Sequence, residues 1–131
     1  MVPLIMDWSM TDMRMLIVDD VTEVRKDLRT VLTLSCAVEI VGEAADGLEA
    51  IQQVEALHPE IILMDLEMPL LDGYEATQRI KAQHPACRVV ALTVHGYEEA
   101  RKRAFLAGVD AFIVKGESVE SLVQAIFAKK E

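Results

Sequence analysis

Short apolar runs alternate along this chain with longer amphipathic stretches. Residues 15–18, 39–44, 61–64, 89–93 and 111–114 are rich in Ile, Val, Leu, Met and Ala and are bounded by polar or turn-forming residues. Such runs read as strands buried on both faces. Between them, Val21, Val24, Leu28, Val31 and Leu32 recur at helical spacing, as do Ala50, Ile51, Val54 and Leu57. Tyr74, Thr77 and Ile80 mark a weaker third stripe. Residues 97–107 predict a fourth helix, closed by Gly108 just past its end. Ser118 is placed to cap a fifth, with Val119, Leu122, Val123, Ile126 and Phe127 as its apolar positions. Leu57-His58-Pro59 and Gln83-His84-Pro85 each end a helix, because the residue before proline leaves helical geometry. His58 and His84 are therefore read as punctuation.

Strict alternation of strand and helix with short connections predicts a parallel sheet covered by helices on both faces. Right-handed crossovers leave few topologies. The expected fold is α/β, a flavodoxin-like doubly wound five-stranded parallel sheet of order 2-1-3-4-5 with five helices. It occupies residues 14–131, and residues 1–13 read as an N-terminal extension or vector remnant. That leader lacks the basic start and unbroken apolar stretch of an export signal. With no run near the ~20 apolar residues of a membrane span, the expected location is cytoplasmic.

In doubly wound folds ligands bind beyond the carboxyl ends of the strands. Here the first strand ends in Asp19-Asp20, the third in Asp65, the fourth in Thr93 and the fifth in Lys115. The second, at the sheet edge, is followed by Asp46-Gly47, read as an ordinary turn pair. Three carboxylates at one rim repel unless a cation intervenes. An oxygen-only set suits Mg2+, with Asp20 and Asp65 as direct ligands and Asp19 acting through water. Lys115 balances the remaining charge and can hold a phosphoryl oxygen, to which the Thr93 hydroxyl can donate. No P-loop and no Cys/His nucleophile pair occurs. The nucleophile is then a carboxylate forming an acyl phosphate, and Asp65 is the candidate. The competing reading makes Asp19-Asp20 a helix N-cap pair.

Composition narrows the partners. A net charge of −9, from 22 acids against 13 bases, disfavours direct binding to nucleic acid. Cys36 and Cys87 lie far apart without Cys-x-x-Cys spacing, which argues against a thiolate zinc site.

Leu16-Ile17-Val18-Asp19-Asp20, Ile62-Leu63-Met64-Asp65 with Met68-Pro69 and Asp72-Gly73, Leu92-Thr93, and Phe112-Ile113-Val114-Lys115 resemble the receiver domain of bacterial two-component response regulators. Val41-Gly42-Glu43-Ala44, Leu92-Thr93-Val94-His95 and Ala107-Gly108 are similar to the subgroup that precedes a LuxR-type helix-turn-helix domain. The resemblance implies that Asp65 accepts a phosphoryl group from a sensor histidine kinase. It implies Mg2+ held by Asp20, Asp65 and the Glu67 backbone carbonyl, with Asp19 nearby. Thr93 and Phe112 would form a switch pair acting on the 93–115 surface, and homodimerisation on phosphorylation is expected by analogy. The output would be transcription through a DNA-binding domain that this sequence does not contain. A phosphoacceptor of this kind turns itself over without being a multiple-turnover enzyme.

Four positions depart from the commonest pattern. Gly116 follows the lysine where proline is frequent, so a cis bond there would cost about 3 kcal/mol more than before proline. Val94 follows the threonine and narrows access for small phosphodonors. Glu67 adds a fourth acid, which either faces solvent or competes with water for the metal. His95 lies two residues past Thr93, near enough to affect phosphoryl lifetime, although a solvated loop histidine is favoured. Two other readings compete: a degenerate or stand-alone receiver acting as an interaction module, and a dehalogenase-type phosphatase. The phosphatase needs Asp-x-Asp after the first strand, and this chain has Asp19-Asp20-Val21.

Overall fold

A computed structural model describes residues 12–128. Its strands are β1 (Met13–Val18), β2 (Val38–Ala44), β3 (Ile61–Asp65), β4 (Arg88–Thr93) and β5 (Ala111–Val114). The helices are α1 (Thr22–Ser35), α2 (Gly47–Leu57), α3 (Gly73–Gln83), α4 (Glu98–Ala107) and α5 (Val119–Phe127). All strands run parallel in the order β2-β1-β3-β4-β5, the expected doubly wound topology. Of the segment read as an extension, residues 1–11 lie outside the described residues; Met13 is already in β1, paired with Val38.

Side-chain parity sorts the core into two layers, because successive strand residues face opposite ways. Leu16, Val18, Ile62, Met64, Val89 and Ala91 pack against Ala50 and Val54 of α2, Ala76 and Ile80 of α3, and Ala100 and Ala104 of α4. Met15, Ile17, Ile61, Leu63 and Val90 pack against Leu32 of α1 and Leu122 and Ile126 of α5. Each fully buried Leu or Ile contributes about 1.5–3 kcal/mol, so both helical layers are held firmly on the sheet.

The expected stripe of α1 is broader than the face that packs. Val21 precedes the helix as its cap residue and stays exposed, while Leu32 is the buried residue of α1. Val119 and Phe127, at the two ends of α5, are exposed as well. His58 and His84 occupy C-cap positions, their N–H groups donating to Val54 and Ile80 carbonyls. Their rings meet edge to face, at 5.8 Å between centroids.

Asp46-Gly47 is more than a turn pair. Asp46 accepts from the Glu49 N–H (2.8 Å), and Asp72 accepts from the Glu75 N–H (2.9 Å), so each aspartate caps its helix. The following glycines open α2 and α3 in tight quarters. Gly47 N–H donates to the Leu71 carbonyl and Gly73 N–H to the Leu66 carbonyl, both at 2.9 Å. A Cβ at either would collide with backbone, the Leu71 carbonyl at Gly47 and the Asp65 carbonyl at Gly73. Among the described residues no helix is long and apolar enough to cross a membrane.

Candidate functional site

Register brings the polar strand ends together. Val18 is level with Met64, so Asp19 and Asp65 emerge side by side from β1 and β3. Asp65 is level with Leu92, and Thr93 with Val114, which places Thr93 and Lys115 just beyond. Asp19 and Asp65 are buried and Asp20 is exposed. One carboxylate oxygen from each of these three lies within 4.8 Å of the others, a cluster that could hold a metal ion. The donor set is oxygen only, which fits a hard divalent cation.

Lys115 reaches into this cluster. Its Nζ donates to Asp19 Oδ2 at 2.8 Å and stands 3.6 Å from Asp65 Oδ1. Gly116 does not displace it. Among the described residues there is no cis peptide bond, and the chain turns at Gly116 with φ of 101°. Nothing lies where its side chain would be, so the left-handed backbone is what glycine serves there. Asp19 also accepts from the Val21 N–H at 2.9 Å, but the cap position of α1 belongs to Val21. The N-cap reading of the acid pair is thus only partly met.

Charge in this pocket is poorly compensated. Removal from water pushes the Asp65 carboxyl up to about 7, helped by the negative charge of Asp19 and then of Asp20 and Glu67, with Lys115 opposing. Burial alone would depress the Lys115 ammonium. Its hydrogen bond to Asp19 and the charges of Asp65 and Asp19 outweigh that and leave it raised. A divalent cation among the carboxylates would supply what the cluster lacks, lowering the Asp65 pKa and leaving the carboxylate ionised at neutral pH.

Thr93 is fully buried. Its hydroxyl donates to Glu67 Oε1 at 2.7 Å and accepts from the His95 N–H at 3.1 Å. The Glu67 side chain is exposed, as one of the two sequence alternatives had it, and it also holds the Thr93 hydroxyl, which neither alternative included. Phe112 is buried in the α2–α3–α4 layer, with the Arg101 guanidinium 5.8 Å from its ring centroid and 5.1 Å from that of Phe105. Val94 is exposed at the rim.

Sequence reasoning passed over Arg25. Its Nη1 donates to the Asp19 backbone carbonyl (2.7 Å) and its Nε to Glu43 (2.9 Å), which Arg29 also grips at 2.7 Å. The two arginines outweigh the burial of Glu43 and hold its carboxyl below the usual range. This brace ties α1 and β2 to the acid pair. Only the position of Arg25 one turn past the acids hinted at it.

The chain as a whole is similar to known proteins. The response regulator receiver domain family matches residues 15–127. The uncharacterized transcriptional regulatory protein YhcZ of Bacillus subtilis is 38% identical over 112 residues, covering 86% of this chain and 52% of that protein. The response regulator protein VraR of Staphylococcus aureus is 40% identical over 113 residues, covering 86% of this chain and 54% of its own length. The chain thus spans about half the length of these curated relatives. The crystal structure of a LuxR-family two-component response regulator from an Aurantimonas species superposes with a TM-score of 0.84 at 34% identity, covering 88% of this chain and 83% of that one. With the family match spanning nearly all the described residues and the acid, threonine and lysine positions drawn to one rim, the chain belongs to the response regulator receiver domain family.

Proposed function

We propose that this chain is a phosphorylation-controlled switch in which Asp65 is the phosphoryl acceptor. The observation that carries the reading is Lys115 Nζ set between Asp19 and Asp65 at the end of β3, beside an acceptor whose carboxyl is pushed up to about 7. In the transfer, an Asp65 carboxylate oxygen attacks the phosphorus of a phosphohistidine on a sensor kinase. The new O–P bond forms as the P–N bond breaks, and the electron pair leaves on the imidazole nitrogen, which takes up a proton. Asp20, Asp65 and the Glu67 carbonyl would hold Mg2+, with Asp19 linked through water. The ion would neutralise charge on the phosphoryl oxygens. Lys115 orients the incoming group as a point cation.

The Thr93 hydroxyl and the Phe112 ring would carry the change outward along β4, α4 and β5. Homodimerisation through the 98–107 and 119–127 helices is part of the same proposal. The relative YhcZ, named as a transcriptional regulatory protein, supports an output on transcription, which this reading routes through a DNA-binding domain.

Incubation with acetyl phosphate or a phosphorylated sensor kinase in Mg2+ tests the reading. One phosphoryl group of added mass, lost in Asp65→Asn, is expected. No gain from either donor, or a gain that survives Asp65→Asn, defeats it.

A further inference from the structure

We propose that the Glu67 side chain is a positioning residue that latches the Thr93 hydroxyl away from the phosphoryl site, so that acceptor loading and the latch exclude each other. The proposal rests on the reading of Asp65 as acceptor. A threonine hydroxyl carries one proton. Here that proton is donated to Glu67 Oε1 at 2.7 Å, while an oxygen lone pair accepts from the His95 N–H at 3.1 Å. The hydroxyl has nothing left to donate. A phosphoryl group on Asp65 presents acceptor oxygens only, so two acceptors compete for one proton.

The geometry makes the exchange inexpensive on one side and consequential on the other. Glu67 is exposed, so its carboxylate returns to water when released. Thr93 is fully buried at the end of β4. Any movement of its hydroxyl therefore draws on the His95 amide and the 94–97 loop that leads into α4. Glu67 also lies close enough to add to the charges that burden Asp65. Its side chain thus opposes loading twice, by holding the donor and by repelling an anion, and the two effects can be separated.

Two readouts do so. The first uses the 15N,13C-labelled chain free of metal and phosphate. Glu67→Ala is expected to shift the His95 amide and Thr93 methyl resonances. Glu67→Gln, which keeps the Oε1 acceptor without the charge, leaves them near their original positions. Unmoved resonances in Glu67→Ala overturn the latch. The second is titration with beryllofluoride and Mg2+, read by the amide spectrum. Releasing one hydrogen bond should tighten binding about threefold to tenfold in Glu67→Ala, and less in Glu67→Gln. In a Thr93→Val background the same substitution should gain less than about twofold, since only repulsion is relieved. Equal gains in both backgrounds overturn the latch, leaving charge alone as the cause. Phosphoryl uptake by the unaltered chain, measured alongside, reports on the Asp65 reading independently.

Discussion

Asp65 works against folding whenever it is ionised without a metal. Its folded-state carboxyl titrates near 7, against an ordinary value of 3.8. Between those values the folded chain keeps a proton that the unfolded chain has released, so stability falls as pH rises through that window. In chelator, urea unfolding of the unaltered chain should lose about 2–3 kcal/mol between pH 4.5 and 8 relative to Asp65→Asn. A difference that stays flat across those pH values contradicts a desolvated Asp65. Thr77 is a second residue at odds with its surroundings. It is fully buried in α3 and its hydroxyl has no partner. Thr77→Val replaces that hydroxyl with a methyl of similar size. The urea midpoint should rise, by about 0.5–1 kcal/mol of stability.

At the level of elements, the site depends on how closely α3 approaches β3. Gly73 opens that helix, and its missing Cβ is what lets the Asp65 carbonyl sit against it. Gly73→Ala must push the helix start away from the acceptor strand. A loss of about 2–3 kcal/mol is expected from such overpacking against backbone, measured by denaturant unfolding, together with slower phosphoryl uptake. Retained uptake with full stability would show that the α3 start is freer than this contact implies. The ion pair of Lys81 with Asp110, at 2.8 Å, and the Val89 N–H donated to the same carboxylate join α3, β4 and the loop before β5 well away from the acid cluster.

For the molecule as a whole, a cation held at the rim would act as a ligand of the folded state alone. Mg2+ should raise the melting temperature by an amount that grows with the logarithm of its concentration above Kd, and less so in Asp20→Asn, which removes the charge of the exposed member of the cluster. A thermal melt with and without Mg2+ checks this. An identical Mg2+ response in Asp20→Asn would take Asp20 out of the ligand set.

Much of this architecture is written locally. Apolar runs of strand length, helical stripes between them and polar residues at the strand ends lie within a few residues of one another. The solvent's preference for burying apolar surface then reads them the same way in any compact chain. Crossover handedness converts that order into the sheet order 2-1-3-4-5, and so into Asp19, Asp20, Asp65, Thr93 and Lys115 on one rim. The remaining features join residues far apart in the chain. Glu67 takes the Thr93 hydroxyl across 26 residues, Lys115 reaches Asp19 across 96, and Arg25 braces Glu43 across 18. Gly47 looked like a turn residue because the backbone that crowds it, the Leu71 carbonyl, comes from another segment. Val21 fitted a helical stripe, yet no neighbouring element covers it and it stays exposed. Periodicity reports which face a residue shares, but rotamer, register and the approach of a second backbone arise only when the layers close.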